Sequence, residues 1–141
     1  MSDATQRHLM VVDDDEAARA FVTRVFEAEG WKVTEASGGA HALALLGSEP
    51  LPDVVLLDLL MPGLNGLDVL SKLRGQSGFE DLPMVVLCER DRPLASRLTV
   101  GLGADDVLSK PLDAAVLRAR CGALADRTGL TARERLGWAG A

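Results

Sequence analysis

Asp53-Val54-Val55-Leu56-Leu57-Asp58-Leu59-Leu60-Met61-Pro62-Gly63 is the stretch whose reading decides the fold. Val54 to Leu57 are apolar in a row, the pattern of a strand buried on both faces in a parallel sheet. Asp58 closes the run with a carboxylate, and Pro62-Gly63 turns the chain. Ligands of open α/β sheets sit at the carboxyl ends of the strands, which places Asp58 where chemistry is done. Taken alone, Asp58 reads equally well as a cap for the helix that follows.

Outward from this stretch, the pattern repeats. His8 to Val12 is a short apolar run stopped by Asp13-Asp14-Asp15. Glu16 to Glu29 carries Ala17, Ala20, Phe21, Val25 and Ala28 at helical spacing, with Gly30 at its end. Trp31 to Ala36 alternates like a half-buried strand, and Gly39 to Leu46 reads as a second helix. A third helix is expected over 65–74, with Leu67, Leu70 and Leu73 inward, then a loop over 75–81. Pro83 to Cys88 and Asp105 to Ser109 read as strands four and five. Helices are expected over 92–100 and from Leu112 to Ala125, the latter with Leu112, Val116, Leu117 and Leu124 on its apolar stripe. Strands alternating with helices imply a parallel sheet with right-handed crossovers and helices on both faces. Asp13 to Asp15, Asp58, Cys88, Glu89 and Lys110 then share one rim.

The 141 residues suit one domain with a sizeable core. A net charge of −6 argues against nucleic-acid binding by this chain. Cys88 and Cys121 show neither metal spacing nor a disulfide pattern, which fits a reducing cytosol. The first eight residues lack a signal-peptide pattern. No apolar run approaches the ~20 residues of a membrane span. The expected location is cytoplasmic.

Asp13, Asp14 and Asp58 would gather three carboxylates at one place. Two like charges ~4 Å apart cost roughly 4 kcal/mol at an effective dielectric of 20, so the cluster needs a cation or raised pKa values. Oxygen-only ligands with room for water suit Mg²⁺ better than zinc. Lys110 adds a positive charge opposite them, and a lysine with a divalent cation suits a phosphoryl group. A carboxylate is itself a competent nucleophile toward activated phosphorus.

Val11-Val12-Asp13-Asp14, Asp58-Leu59-Leu60-Met61-Pro62 with Gly66, Gly103-Ala104-Asp105-Asp106, and Lys110-Pro111 stand in order, each at an expected strand end. Together they resemble the receiver domain of two-component response regulators, over about residues 8–125. The resemblance implies a flavodoxin-like, doubly wound α/β fold: a five-stranded parallel sheet of order 2-1-3-4-5 with five helices. It implies that Asp58 accepts a phosphoryl group from a phosphohistidine on a sensor histidine kinase or phosphotransfer protein. It implies Mg²⁺ held by Asp13, Asp14, Asp58 and the backbone carbonyl of Leu60. Lys110 would pair with the acceptor and then with the phosphoryl oxygens, after a cis peptide bond to Pro111. Such a domain is a self-phosphorylating signalling module and not a turnover enzyme.

Three positions depart from the family pattern. Cys88 stands where Thr or Ser is usual, Glu89 where a small residue is usual, and Val107 where Tyr or Phe is usual. A thiol donates more weakly than a hydroxyl, and valine has no ring to swing. The expectation is that Asp58 is still phosphorylated while the usual hydroxyl–aromatic relay does not operate. An alternative is a pseudo-receiver that signals by binding alone, with Glu89 or Arg90 filling the pocket. A phosphatase-like enzyme would need an inserted cap, and no loop is long enough to supply one.

Simpler roles stand beside these. Asp15 is assigned to capping the first helix. Cys88 is expected to be an inert, partly buried thiol and Cys121 to serve core or interface packing. His8 and His41 receive no role, and Trp31 is ordinary packing. Residues 126–141 read as a tail or truncated linker. Thr128 to Leu136 faintly resembles the opening of a helix-turn-helix domain, which leaves a further alternative: the N-terminal regulatory part of a longer DNA-binding regulator. Weak homodimerisation at most is expected, through the face of helix four, strand five and helix five near Arg97, Val107, Leu108 and Arg118.

Overall fold

The computed structural model describes residues 6–48, 50–89 and 99–126. Val54–Asp58 is a strand (β3) with every residue buried, as a central strand covered on both faces must be. It lies between β1 (His8–Val12) and β4 (Met84–Glu89). The edges are β2 (Lys32–Ala36) and β5 (Asp106–Lys110). All neighbours are parallel and the order is β2-β1-β3-β4-β5, as the resemblance implied.

The register positions the site. Val12 pairs with Leu57, so the next residues, Asp13 and Asp58, come side by side where the β1–β3 pairing ends. Asp58 pairs with Leu87, and two rungs on Glu89 pairs with Lys110. Side chains alternate across the sheet, giving two cores. On one face Met10, Val12, Val55, Leu57, Met84 and Val86 pack against helices α2 (Gly39–Ser48) and α3 (Gly66–Arg74). On the other, Leu9, Val11, Leu56 and Leu87 meet Val22 and Phe26 of α1 (Glu16–Glu27) and Leu117 and Cys121 of the C-terminal helix (Ala114–Asp126). Each large side chain buried this way contributes about 1.5–3 kcal/mol.

Helix starts follow the caps. Asp15 accepts from the Ala17 N–H at 3.0 Å, as expected for the α1 cap. Asn65 and Asp68 form a reciprocal capping box at α3. The C-terminal helix begins two residues later than expected because Asp113 accepts from the Val116 N–H at 3.0 Å and so acts as its cap. Its buried stripe is Leu117, Cys121 and Ala125, while Val116 is 42% exposed, correcting its placement inward. Its last residue is Asp126, one past the expected end at Ala125. α2 runs to Ser48, two residues past the expected Leu46. β4 starts at Met84 because Pro83 has no N–H for the ladder, although its carbonyl still accepts from Val55 at 2.9 Å.

Of the expected fourth helix, 92–98 lie outside the described residues, and 99–101 are helical. Residues 127–141, and with them the helix-turn-helix likeness, also lie outside them, as do Arg90 and Arg97. Trp31 packs on Phe26 with ring centroids 5.0 Å apart, and the Arg7 guanidinium lies over its ring. Arg74 ties three segments together: it donates to the carbonyls of Phe79, Glu80 and Gly103 and pairs with Asp105 at 2.9 Å. No helix among the described residues is long and apolar enough to cross a membrane.

Candidate functional site

The acids arrive at the rim by different routes. Asp13 follows the last rung of β1 and is 1% exposed, whereas Asp58 ends β3 and is 6% exposed. Asp14, one residue further out, is exposed. One carboxylate oxygen from each of the three lies within 4.8 Å of the others. Lys110, from the end of β5, reaches into this group. Its Nζ lies 3.0 Å from Asp13 Oδ2 and 3.4 Å from Asp58 Oδ1. The lysine thus serves two carboxylates and sits nearer to Asp13 than to Asp58. Its peptide bond to Pro111 is cis, as the resemblance implied.

Burial is the largest influence raising the Asp58 pKa, which moves from 3.8 to about 6. The Asp13 charge adds to this, the Lys110 ammonium opposes it, and Asp14 raises it further. At Lys110, burial works to lower the pKa, but its hydrogen bond to Asp13 and the charges of Asp58 and Asp13 outweigh that and hold it above the ordinary lysine value. Among the described residues three carboxylates against one ammonium leave a net negative cluster, and oxygen donors with one exposed member suit a hard divalent cation that keeps several waters. By the chemistry of their donors, the residues present fit Mg²⁺.

Asp13 is fastened from four sides. Its N–H donates to the Ala36 carbonyl at 3.1 Å. Its Oδ1 accepts from the Asp15 N–H at 2.9 Å and its Oδ2 from Lys110. Its carbonyl accepts from Arg19 Nη1 at 2.6 Å. Gly66 seats α3 directly against the acid strand: a Cβ there would fall 2.5 Å from the Asp58 carbonyl oxygen and 2.9 Å from Leu59 Cα. The absence of a side chain is what permits this approach.

A family model described as the response regulator receiver domain matches residues 9–121. The chain belongs to that family. This receiver domain is 41% identical over 120 residues to the response regulator MprA of Mycobacterium tuberculosis, covering 85% of this chain and 51% of that protein. It therefore spans about half the length of the curated relatives it matches. Among solved structures it is similar to the Francisella response regulator 1452 receiver domain, with a TM-score of 0.80 and 32% identity over 87% of this chain and 99% of the other. It is also similar to the Vibrio cholerae chemotaxis protein CheY4, with a TM-score of 0.79 and 25% identity over 85% and 99%.

Of the residues singled out from sequence, Asp13, Asp14, Asp58 and Lys110 converge. Leu60 is 49% exposed in the loop after β3. Cys88 sits on the rung after the partner of Asp58 and is buried with the core on the α2–α3 face, deeper than the partial burial expected. Glu89 is exposed beside Lys110, and Val107 is half-buried. Cys121 belongs to the core, where burial, with the Asp106 charge second, pushes its thiol up to about 12. His8 bonds Thr34 at 2.7 Å, and His41 accepts from the Ser37 N–H at 3.1 Å; neither is a member of the acid cluster. Asp53, at the start of the deciding stretch, accepts from the His8 N–H at the opposite end of the sheet. Arg19 was missed. It touches the Asp13 carbonyl and Glu35 of β2 together, and no local spacing signals that pairing.

Proposed function

We propose that this domain, in the cytoplasm, takes a phosphoryl group on Asp58 from a phosphohistidine of a sensor histidine kinase or phosphotransfer protein. The observation that carries this reading is the single ammonium of Lys110 set between Asp13 and Asp58 at the ends of neighbouring strands. A carboxylate oxygen of Asp58 attacks phosphorus, and the phosphorus–nitrogen bond breaks with its electron pair on the imidazole nitrogen, which takes a proton. Lys110 neutralises charge on the transferred oxygens. Asp13, Asp14, Asp58 and the Leu60 carbonyl would hold Mg²⁺, which supplies further neutralisation of phosphoryl charge. The domain carries a signal and does not turn over a substrate. Incubation with acetyl phosphate and Mg²⁺ is expected to add one phosphoryl mass to the intact protein, and Asp58→Asn to abolish it. An unmodified wild-type protein would reject the proposal.

A second reading, binding without phosphorylation, is favoured by exposed Glu89, whose backbone pairs with that of Lys110. The same experiment separates the two. With Cys88 buried in the core and valine at 107, phosphorylation is expected to leave β4 and β5 largely as they are. Beryllofluoride should shift amides of residues 13–14 and 58–60 but few along residues 84–87 and 106–108. Extensive shifts along both strands would contradict this. The relatives' further length keeps open the reading of a regulatory part within a longer DNA-binding regulator.

A further inference from the structure

Arg19, on α1, spans two elements. Its Nη1 donates to the Asp13 carbonyl at 2.6 Å, and its Nε donates to Glu35 Oε1 on β2 at 3.2 Å. The Arg19 side chain is 15% exposed, so it is mostly shielded from competing water. Glu35 is itself steadied by the Thr23 hydroxyl of α1, which donates to its other oxygen at 2.9 Å.

The contact falls where the ladder ends. β1 stops at Val12, so the Asp13–Asp14 peptide is no longer held between two strands. The Asp13 N–H still reaches β2 through Ala36, while its carbonyl reaches β2 through Arg19 and Glu35. The first tie holds the Val12–Asp13 peptide; the second, from Arg19, holds the plane of the Asp13–Asp14 peptide, which carries one acid of the cluster on each side. A rotated peptide would carry Asp14 away from Asp58. A guanidinium is a planar fork that serves a carbonyl and a carboxylate together, whereas a lysine ammonium lacks that fixed fork.

We propose that Arg19 is a positioning residue for the acid cluster: anchored by Glu35, it fixes the Asp13–Asp14 peptide so that the carboxylates stay arranged for a divalent cation. This rests on the Mg²⁺ reading above. Mg²⁺ tolerates little departure from octahedral geometry, and removing a group that orients metal ligands commonly costs tenfold or more in affinity.

The test is a Mg²⁺ titration followed by amide shifts in wild type, Arg19→Ala, Arg19→Lys and Glu35→Ala, with thermal unfolding in EDTA measured alongside. Arg19→Ala is expected to bind Mg²⁺ about tenfold more weakly, with Glu35→Ala weakened less and Arg19→Lys recovering part of the loss. A folded Arg19→Ala protein with wild-type affinity overturns the inference, even if its melting temperature falls, because Arg19 would then be merely structural. Should Arg19→Ala not fold, Glu35→Ala decides, and an unchanged affinity there overturns it. A wild-type protein that does not respond to Mg²⁺ removes the metal reading and this inference together, whereas a responsive wild type with indifferent variants removes this inference alone.

Discussion

Replacing Lys110 with methionine is expected to slow acetyl phosphate labelling of Asp58 about a hundredfold and to destabilise the metal-free domain at neutral pH by about 2–3 kcal/mol. Both effects come from the same geometry. Lys110 is the positive group placed 3.0 Å from Asp13 and 3.4 Å from Asp58, and those carboxylates are 1% and 8% exposed at their side chains. Removing it leaves two buried acids facing each other. Loss of one partner from a fully buried pair costs about 3–5 kcal/mol. The lysine is 21% exposed, so water softens the loss. Protonation of Asp58 also offers partial relief, so the destabilisation should shrink as the pH is lowered toward 5. Urea unfolding of both proteins in EDTA at several pH values, with labelling time courses in Mg²⁺, checks this. A variant as stable as wild type at neutral pH would show that the lysine does not hold the acids together.

The second large effect concerns Asp58 itself. Its pKa is raised from 3.8 to about 6, first by burial and then by Asp13. Between those values the folded state binds more protons than the unfolded state, so this group makes stability fall as pH rises through the window. The full shift corresponds to roughly 3 kcal/mol, realised above about pH 6. Asp58→Asn removes the titrating group. In EDTA the variant is therefore expected to be more stable than wild type at about pH 7 by roughly 1–3 kcal/mol, with the advantage vanishing near pH 4. Saturating Mg²⁺ should reverse the order at neutral pH, because the ion binds the charged native cluster. Parallel stability curves in EDTA would contradict the raised pKa.

Much of this was legible in the sequence because the chain punctuates its strands with chemistry. Apolar runs at His8–Val12 and Val54–Leu57 require a doubly covered sheet, and the acids that stop them fall on its rim without further assumption. Lys110 is announced in the same way, by a strand end followed by proline. The inner face of the C-terminal helix was not legible in full. Leu112, Val116, Leu117 and Cys121 all recur at helical spacing, and periodicity alone does not rank them. The Asp113 cap sets the start at Ala114, and the buried stripe runs through Leu117, Cys121 and Ala125 with Val116 exposed. Arg19 and the shared grip of Lys110 were illegible for another reason: both depend on partners brought together by tertiary structure, Glu35 and Asp13.

The acid pair stands where it does because one rung of pairing, Val12 with Leu57, precedes it. The receptor for charge thus sits where the seam between two doubly covered strands gives out. Slippage of that seam by a single step would turn one of its two strands inside out and part the acids at once. Cys88, Glu89 and Val107 stand on β4 and β5, on the far side of β3 from that seam, so their departures from the family pattern leave its register untouched.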